Sequence, residues 1–179
     1  YAKAARLGGA SIETGCMVKE TNQRPDGSWD VVTEKGTIHT EHVVNAAGLW
    51  AREVAKMANL YLPLMPMEHQ YLITDDIPEI FNRETEHPHV MDPAGESYLR
   101  QEGRGLCIGY YEQPCKPWAV NGTPWNFGHE LLPDNIEKIS DSVEFSYKRF
   151  PVLNEAGIKS VIHGPFTFAP DGNPLVGPI

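Results

Sequence analysis

At 179 residues the chain can bury a substantial core in one or two small domains. Its net charge of −9, from 15 basic and 24 acidic side chains, leaves no basic surplus to neutralise phosphates, which argues against a general nucleic-acid or anionic-membrane binder. No apolar run approaches the roughly 20 residues that span a bilayer. Cys16, Cys107 and Cys115 lack a CxxC spacing, so reduced thiols in a reducing compartment are expected rather than a disulfide or zinc framework.

In chain order, residues 1–7 read as the end of a helix stopped by Gly8 and Gly9. Residues 11–14 and 16–20 read as strands. Asp26-Gly27 then turns the chain into a strand over 29–33, and Lys35-Gly36 into another over 37–40. The run VVNAA at 43–47 predicts a strand, followed by a helix over 51–58. From Pro63 the pattern becomes extended, with a β-rich stretch at 70–74 and a polar loop over 82–95. Strands are expected at 97–102 and 106–111, joined by Gly103-Arg104-Gly105, and then an irregular loop over 113–127 packed by Trp118 and Trp125. The apolar spacing of Ile136, Ile139, Val143, Tyr147 and Phe150 predicts a helix over 133–150, and 158–168 returns as strand.

Two segments carry most of the information. In VVNAAGLW, at 43–50, an apolar run ends in small residues that let a backbone approach a bulky ligand, just before a helix start that could face a phosphate. Tight strand–helix packing accounts for the same pattern. Near the C-terminus, Pro170-Asp171-Gly172 stands between apolar runs as a turn signal, followed by Asn173, Pro174, Leu175, Val176, Gly177 and Pro178. Together with Pro66-Met67-Glu68-His69-Gln70-Tyr71 and with Glu96 to Glu102, whose centre is Tyr98-Leu99-Arg100, these segments resemble the flavin-dependent amine oxidoreductases of the D-amino-acid-oxidase superfamily, in the dimethylglycine/sarcosine dehydrogenase branch.

That resemblance implies an α/β (α+β) fold: part of a FAD-binding Rossmann-like domain plus a β-sheet-rich substrate domain with a long helix. Residues 1–62 would be a partial FAD-binding domain, 63–160 the substrate domain, and 161–179 a return to the first. It also implies that the chain is an internal piece of a longer protein, one that would not hold FAD tightly by itself. Val18, Ala46, Ala47, Gly48, Trp50, Pro170, Asp171 and Gly172 match cofactor-contacting positions of the family, with Gly164 and Pro165 as weaker matches. Trp50 could equally be packing at a helix start. The implied reaction is oxidative demethylation of an N-methylglycine by hydride transfer to flavin, with oxygen or an electron-transfer flavoprotein as electron acceptor. Tetrahydrofolate use would belong to a further domain outside this chain. The implied location is the cytoplasm, or the mitochondrial matrix in a eukaryote.

Such chemistry needs a group to manage the amine proton and another to hold the carboxylate. His69 and Tyr98 match the family's substrate-side His and Tyr, and are the expected catalytic pair. A hydrogen-bonded strand histidine remains the simple reading for His69. Strand alternation puts Tyr71 on the face of His69, and Arg100 on the face of Tyr98. Arg100 could clamp a carboxylate or pair structurally with Glu102 or Glu68. Tyr110 and Tyr111 are candidate pocket walls. His87 and His89 lack a third ligand at sensible spacing, so no metal is expected. His39 and His42 flank the nucleotide-side strand, and His129 and His163 read as surface or packing residues. A different superfamily amino-acid oxidase, or a non-catalytic subunit that keeps the fold, are the alternatives.

Overall fold

Gly27 takes φ +86° in the turn that closes the first hairpin, a conformation that costs glycine little. Around it, Arg24 N–H donates to the Ser28 carbonyl (2.8 Å), and Asp26 Oδ1 accepts from Ser28 N–H (3.0 Å). This is the computed structural model of the chain; it describes residues 1–178, in two units, Tyr1–Leu62 and Pro63–Ile179.

The first unit holds α1 (Ala2–Leu7), an antiparallel meander of β1 (Val18–Gln23), β2 (Trp29–Thr33) and β3 (Gly36–Thr40), and α2 (Ala51–Met57). Of its described residues only Thr21 and Ala55 are buried. Two expected strands are absent. Residues 11–14 carry no ladder. Residues 42–47 do not pair either, and Val44 is 86% exposed. Here local side-chain bonds replace a ladder: Asn45 Oδ1 accepts from Ala47 N–H (3.2 Å), and Asn45 Nδ2 donates to the Ala51 carbonyl (2.8 Å). Gly48, at φ +52°, then opens a single 3-10 turn, Gly48–Trp50, that leads into α2.

The second unit is built on β4 (Met65–Thr74), longer than the β-rich stretch expected at 70–74. β9 (Ile158–Phe168) runs antiparallel along its whole length, from Met65↔Phe168 to Thr74↔Ile158. Residues 161–168 therefore belong to this sheet, where a return to the first region was expected; Ile179 lies outside the described residues. The other edge of β4 pairs with β7 (Gly105–Tyr110) at 71–73 and with the short β8 (Lys116–Pro117) at Met67 and Glu68. β6 (Ser97–Glu102) and β5 (Val90–Asp92) extend the sheet beyond β7. The expected loop over 82–95 thus contains a strand, after a short helix α3 (Pro78–Phe81). In the 113–127 loop Trp118 packs on Phe127 with the rings tilted and their centroids 4.6 Å apart, whereas Trp125 is 47% exposed rather than packing.

β4 alternates without exception. Its even-numbered residues Pro66, Glu68, Gln70, Leu72 and Thr74 are buried; its odd-numbered ones are half-buried. Leu72 joins Ile77, Ile80, Leu106, Ile108, Tyr110, Ile139 and Leu153 in the core, against which Val143, Tyr147 and Phe150 pack. These three lie on or next to α4 (Ser140–Arg149), so the helix covers the even face. The helix is shorter than the 133–150 expected. Gln70 donates to the Asn135 carbonyl (2.7 Å) and accepts from its N–H (2.8 Å). Asn135 is held at φ −141°, ψ 61°, outside the helical region, so only a 3-10 turn, Ile136–Ile139, precedes α4.

Candidate active site

The odd face of β4 presents Met65, Met67, His69, Tyr71 and Ile73. The ladder sets Tyr71 opposite Gly109, and Gly109 opposite Tyr98, so the three share one face. Tyr98 lies over Gly109: a Cβ there would sit inside the tyrosine ring. On the other side Phe166 stands opposite Met67 and Phe168 opposite Met65.

The result is an aromatic cluster centred on His69. Its ring lies 5.4 Å from Tyr111 edge-on, 5.0 Å from Phe166 and 5.3 Å from Phe168, and Tyr98 is 5.9 Å from Tyr111. Two cavities adjoin it. One, of about 320 Å³, is bounded by Tyr71, Tyr98, Tyr111, Gly164, Pro165 and Phe166. The other, of about 520 Å³ and largely apolar, is bounded by Met65, Met67, Cys115, Phe168 and Pro170. His69 and Tyr111 belong to the walls of both.

His69 Nδ1 is 3.2 Å from Glu112 Oε2, with both side chains nearly buried (9% and 7% exposed). Its Nε2 is buried with no hydrogen-bond partner among the described residues. An unpaired buried polar atom is costly, by about 1–3 kcal/mol, and here it belongs to a residue that borders both cavities. Burial also holds the Tyr98 hydroxyl above the usual tyrosine range, keeping it a donor, and pushes the Cys107 thiol up likewise.

Of the sequence candidates, His69, Tyr98, Tyr71 and Tyr111 come together. Tyr110 borders the smaller cavity as expected, but its side chain belongs to the core, and burial pushes its hydroxyl up to about 12. Arg100 is ion-paired with Glu102 and borders a different cavity, beside His87 and Leu99, so the structural alternative describes it. Glu68 pairs instead with Lys116 (2.7 Å) and faces His163 Nε2 (3.5 Å), whose Nδ1 donates to the Pro133 carbonyl (2.6 Å). Glu112 was missed by sequence reasoning. It lies just past β7, 43 residues from His69, with no local pattern to announce it.

The cofactor candidates lie in both units. Val18 is half-buried on β1; Ala46 and Gly48 are exposed, and Ala47 and Trp50 half-buried, at the Gly48–Trp50 turn. Pro170, Asp171 and Gly172 form a β-turn after β9. Gly172 sits there at φ +72° with its N–H donating to the Ala169 carbonyl (3.0 Å). Asn173 N–H donates to Asp171 Oδ1 (3.1 Å), which holds that carboxyl below the usual range.

The family described as DAO, FAD dependent oxidoreductase, matches residues 1–179. The chain belongs to this family. It is 43% identical over 182 residues to mitochondrial dimethylglycine dehydrogenase of Mus musculus, covering 99% of this chain and 21% of that protein. Against mitochondrial sarcosine dehydrogenase of Mus musculus it is 36% identical over 98% of the chain and 19% of that protein. Among solved structures, L-proline dehydrogenase from P. horikoshii superposes with a TM-score of 0.78 at 28% identity, over 99% of this chain and 44% of that one. The chain thus spans about a fifth of the length of these two curated relatives. Among the described residues no helix is long and apolar enough to cross a membrane.

Proposed function

We propose that this chain is the substrate-side and partial cofactor-binding portion of a FAD-dependent enzyme that oxidatively demethylates N-methylglycines, dimethylglycine or sarcosine. The observation that carries the proposal is His69, which borders an aromatic cavity and whose buried Nε2 has no hydrogen-bond partner among the described residues. The two dehydrogenase relatives support the substrate class. Both relatives are mitochondrial enzymes, which favours a mitochondrial location.

The residues fit the group. An apolar wall of Met65, Met67 and Phe168 and the glycine turn at Pro170-Asp171-Gly172 suit a flat cofactor ring and its polar chain. Val18, Ala46, Ala47, Gly48, Trp50, Pro170, Asp171 and Gly172 match the family's cofactor-contacting positions and are each proposed to contact FAD. When bound, FAD supplies the two-electron oxidant that accepts a hydride from the N-methyl carbon.

The chain's own residues supply binding and proton control. A cavity of about 320 Å³ suits a small zwitterion. The faces of Tyr71, Tyr98, Tyr111 and Phe166 attract a methylated ammonium by cation–π interaction, worth about 0.5–2 kcal/mol. His69 Nε2 takes the proton from that ammonium, exposing the lone pair that must assist C–H cleavage. Tyr98, kept protonated by burial, donates to the substrate carboxylate.

The test is anaerobic flavin reduction in the full-length protein on adding dimethylglycine, sarcosine or a D-amino acid. Rapid bleaching by an N-methylglycine, lost in His69→Ala and slowed in Tyr98→Phe, is expected. Bleaching by D-amino acids alone would move the protein to another branch of the family. Absence of bound flavin would point to a non-catalytic subunit.

A further inference from the structure

Every ring packed on His69 leaves its two nitrogens in different surroundings. Tyr111, Phe166 and Phe168 enclose the imidazole at 5.0–5.4 Å between centroids and offer it no buried charge. Among the described residues the one carboxylate in reach is Glu112, itself 5% exposed, at 3.2 Å from Nδ1. A carboxylate can only accept a hydrogen bond, so the proton of a neutral His69 belongs on Nδ1. Nε2 is then left with its lone pair, buried and unpartnered, on a residue that borders both cavities.

We propose that Glu112 is the positioning residue of the site: it fixes the tautomer and tilt of His69 so that Nε2 is the bare nitrogen presented to the ligand. Neutral imidazole in water favours the opposite tautomer, with the proton on Nε2. In that form His69 would offer the cavity a donor and could not accept a proton from an ammonium. Glu112 does not touch the cavity that Tyr71 and Tyr98 line; it acts through His69. The carboxylate also stabilises the imidazolium that forms when Nε2 takes up a proton. The other titratable residues bordering the two cavities at His69 are Tyr71, Tyr98, Tyr110, Tyr111 and Cys115; β9 brings the Phe166 and Phe168 rings beside it. None of these supplies a second carboxylate to replace Glu112.

The proposal rests on the reading of His69 as proton acceptor, but its first readout needs no substrate. In the full-length flavin-loaded protein, 15N-labelled histidine reports the tautomer at about pH 8.5, where an ordinary imidazole is neutral. The His69 signals are identified by their loss in His69→Gln. The expected wild-type spectrum has a protonated Nδ1 and a bare Nε2. Glu112→Gln, whose amide oxygen can still accept from Nδ1, is expected to retain that tautomer; Glu112→Leu is expected to move the proton to Nε2. With an N-methylglycine, Glu112→Leu should lower kcat about tenfold or more while KM changes less than about threefold, with Glu112→Gln in between.

A wild-type His69 protonated on Nε2 would overturn the proposal. So would a Glu112→Leu protein that keeps the wild-type tautomer. Equal rate losses in the two variants with KM rising in parallel would reduce Glu112 to a packing role. Should Glu112→Leu lose its flavin, the wild-type and Glu112→Gln spectra decide. If no N-methylglycine reduces the flavin, the proposed reaction fails while the tautomer result still stands or falls by itself.

Discussion

The Tyr98 ring occupies the space that a side chain at Gly109 would need on the neighbouring strand. Strand pairing puts the two opposite each other, and Gly109 is also opposite Tyr71, so a single missing side chain lets two tyrosines approach over one backbone position.

Gly109→Ala is therefore expected to displace Tyr98 rather than merely fill space. The stability cost should be about 1–3 kcal/mol, typical of overpacking. Turnover should fall as in Tyr98→Phe or further. Urea unfolding together with flavin-reduction rates checks this; a fully active, equally stable variant would refute it.

The Gln70–Asn135 pair joins β4 to the segment that leads into α4. Gln70→Ala strands a backbone N–H and a carbonyl, so a loss of about 1–3 kcal/mol is expected. Hydrogen exchange should show the 133–139 segment losing protection before the sheet does.

Asp92 accepts from Arg149 at 3.0 Å, and that bond holds its carboxyl below the usual aspartate range. A depressed native pKa means that the unfolded chain takes up the proton first as pH falls. The stabilisation is thus complete above the ordinary aspartate value of about 3.9, and is lost as pH drops through and below it. Arg149→Ala should flatten that part of the Tm-against-pH curve and leave the neutral-pH slope unchanged.

Cys107 is 1% exposed, and burial raises its thiol above the usual range. It should resist iodoacetamide at pH 8 until the protein is unfolded, while the half-buried Cys115 reacts sooner. Mass mapping of labelled peptides over time measures the order.

Much of the second unit was legible because period-2 alternation is a local property. The strands at 97–102 and 158–168 and the shared face of His69 and Tyr71 follow from it. The first unit was less legible: VVNAA has the composition of a strand, yet Asn45 bonds the nearby backbone instead. The helix start was misplaced because a side chain 65 residues away claims Asn135. Glu112 escaped for a related reason. Alternation assigns it to the face of Tyr110, but the chain leaves the ladder after Tyr110, and the carboxylate reaches the His69 side. Contacts made across the sequence by irregular backbone leave no periodic trace.

The division of labour along β4 bears on how such a protein can diversify. Substitutions at 65, 67, 69 and 71 alter what the cavities accept, with the anchoring contacts of 66, 68, 70, 72 and 74 left intact. New ligand preferences can therefore arise by single steps at odd positions on a scaffold that stays folded. A one-residue insertion or deletion within the strand would exchange the two sets and ruin both at once. Lineages that retain this strand should accumulate point changes on one side of it and almost no length changes.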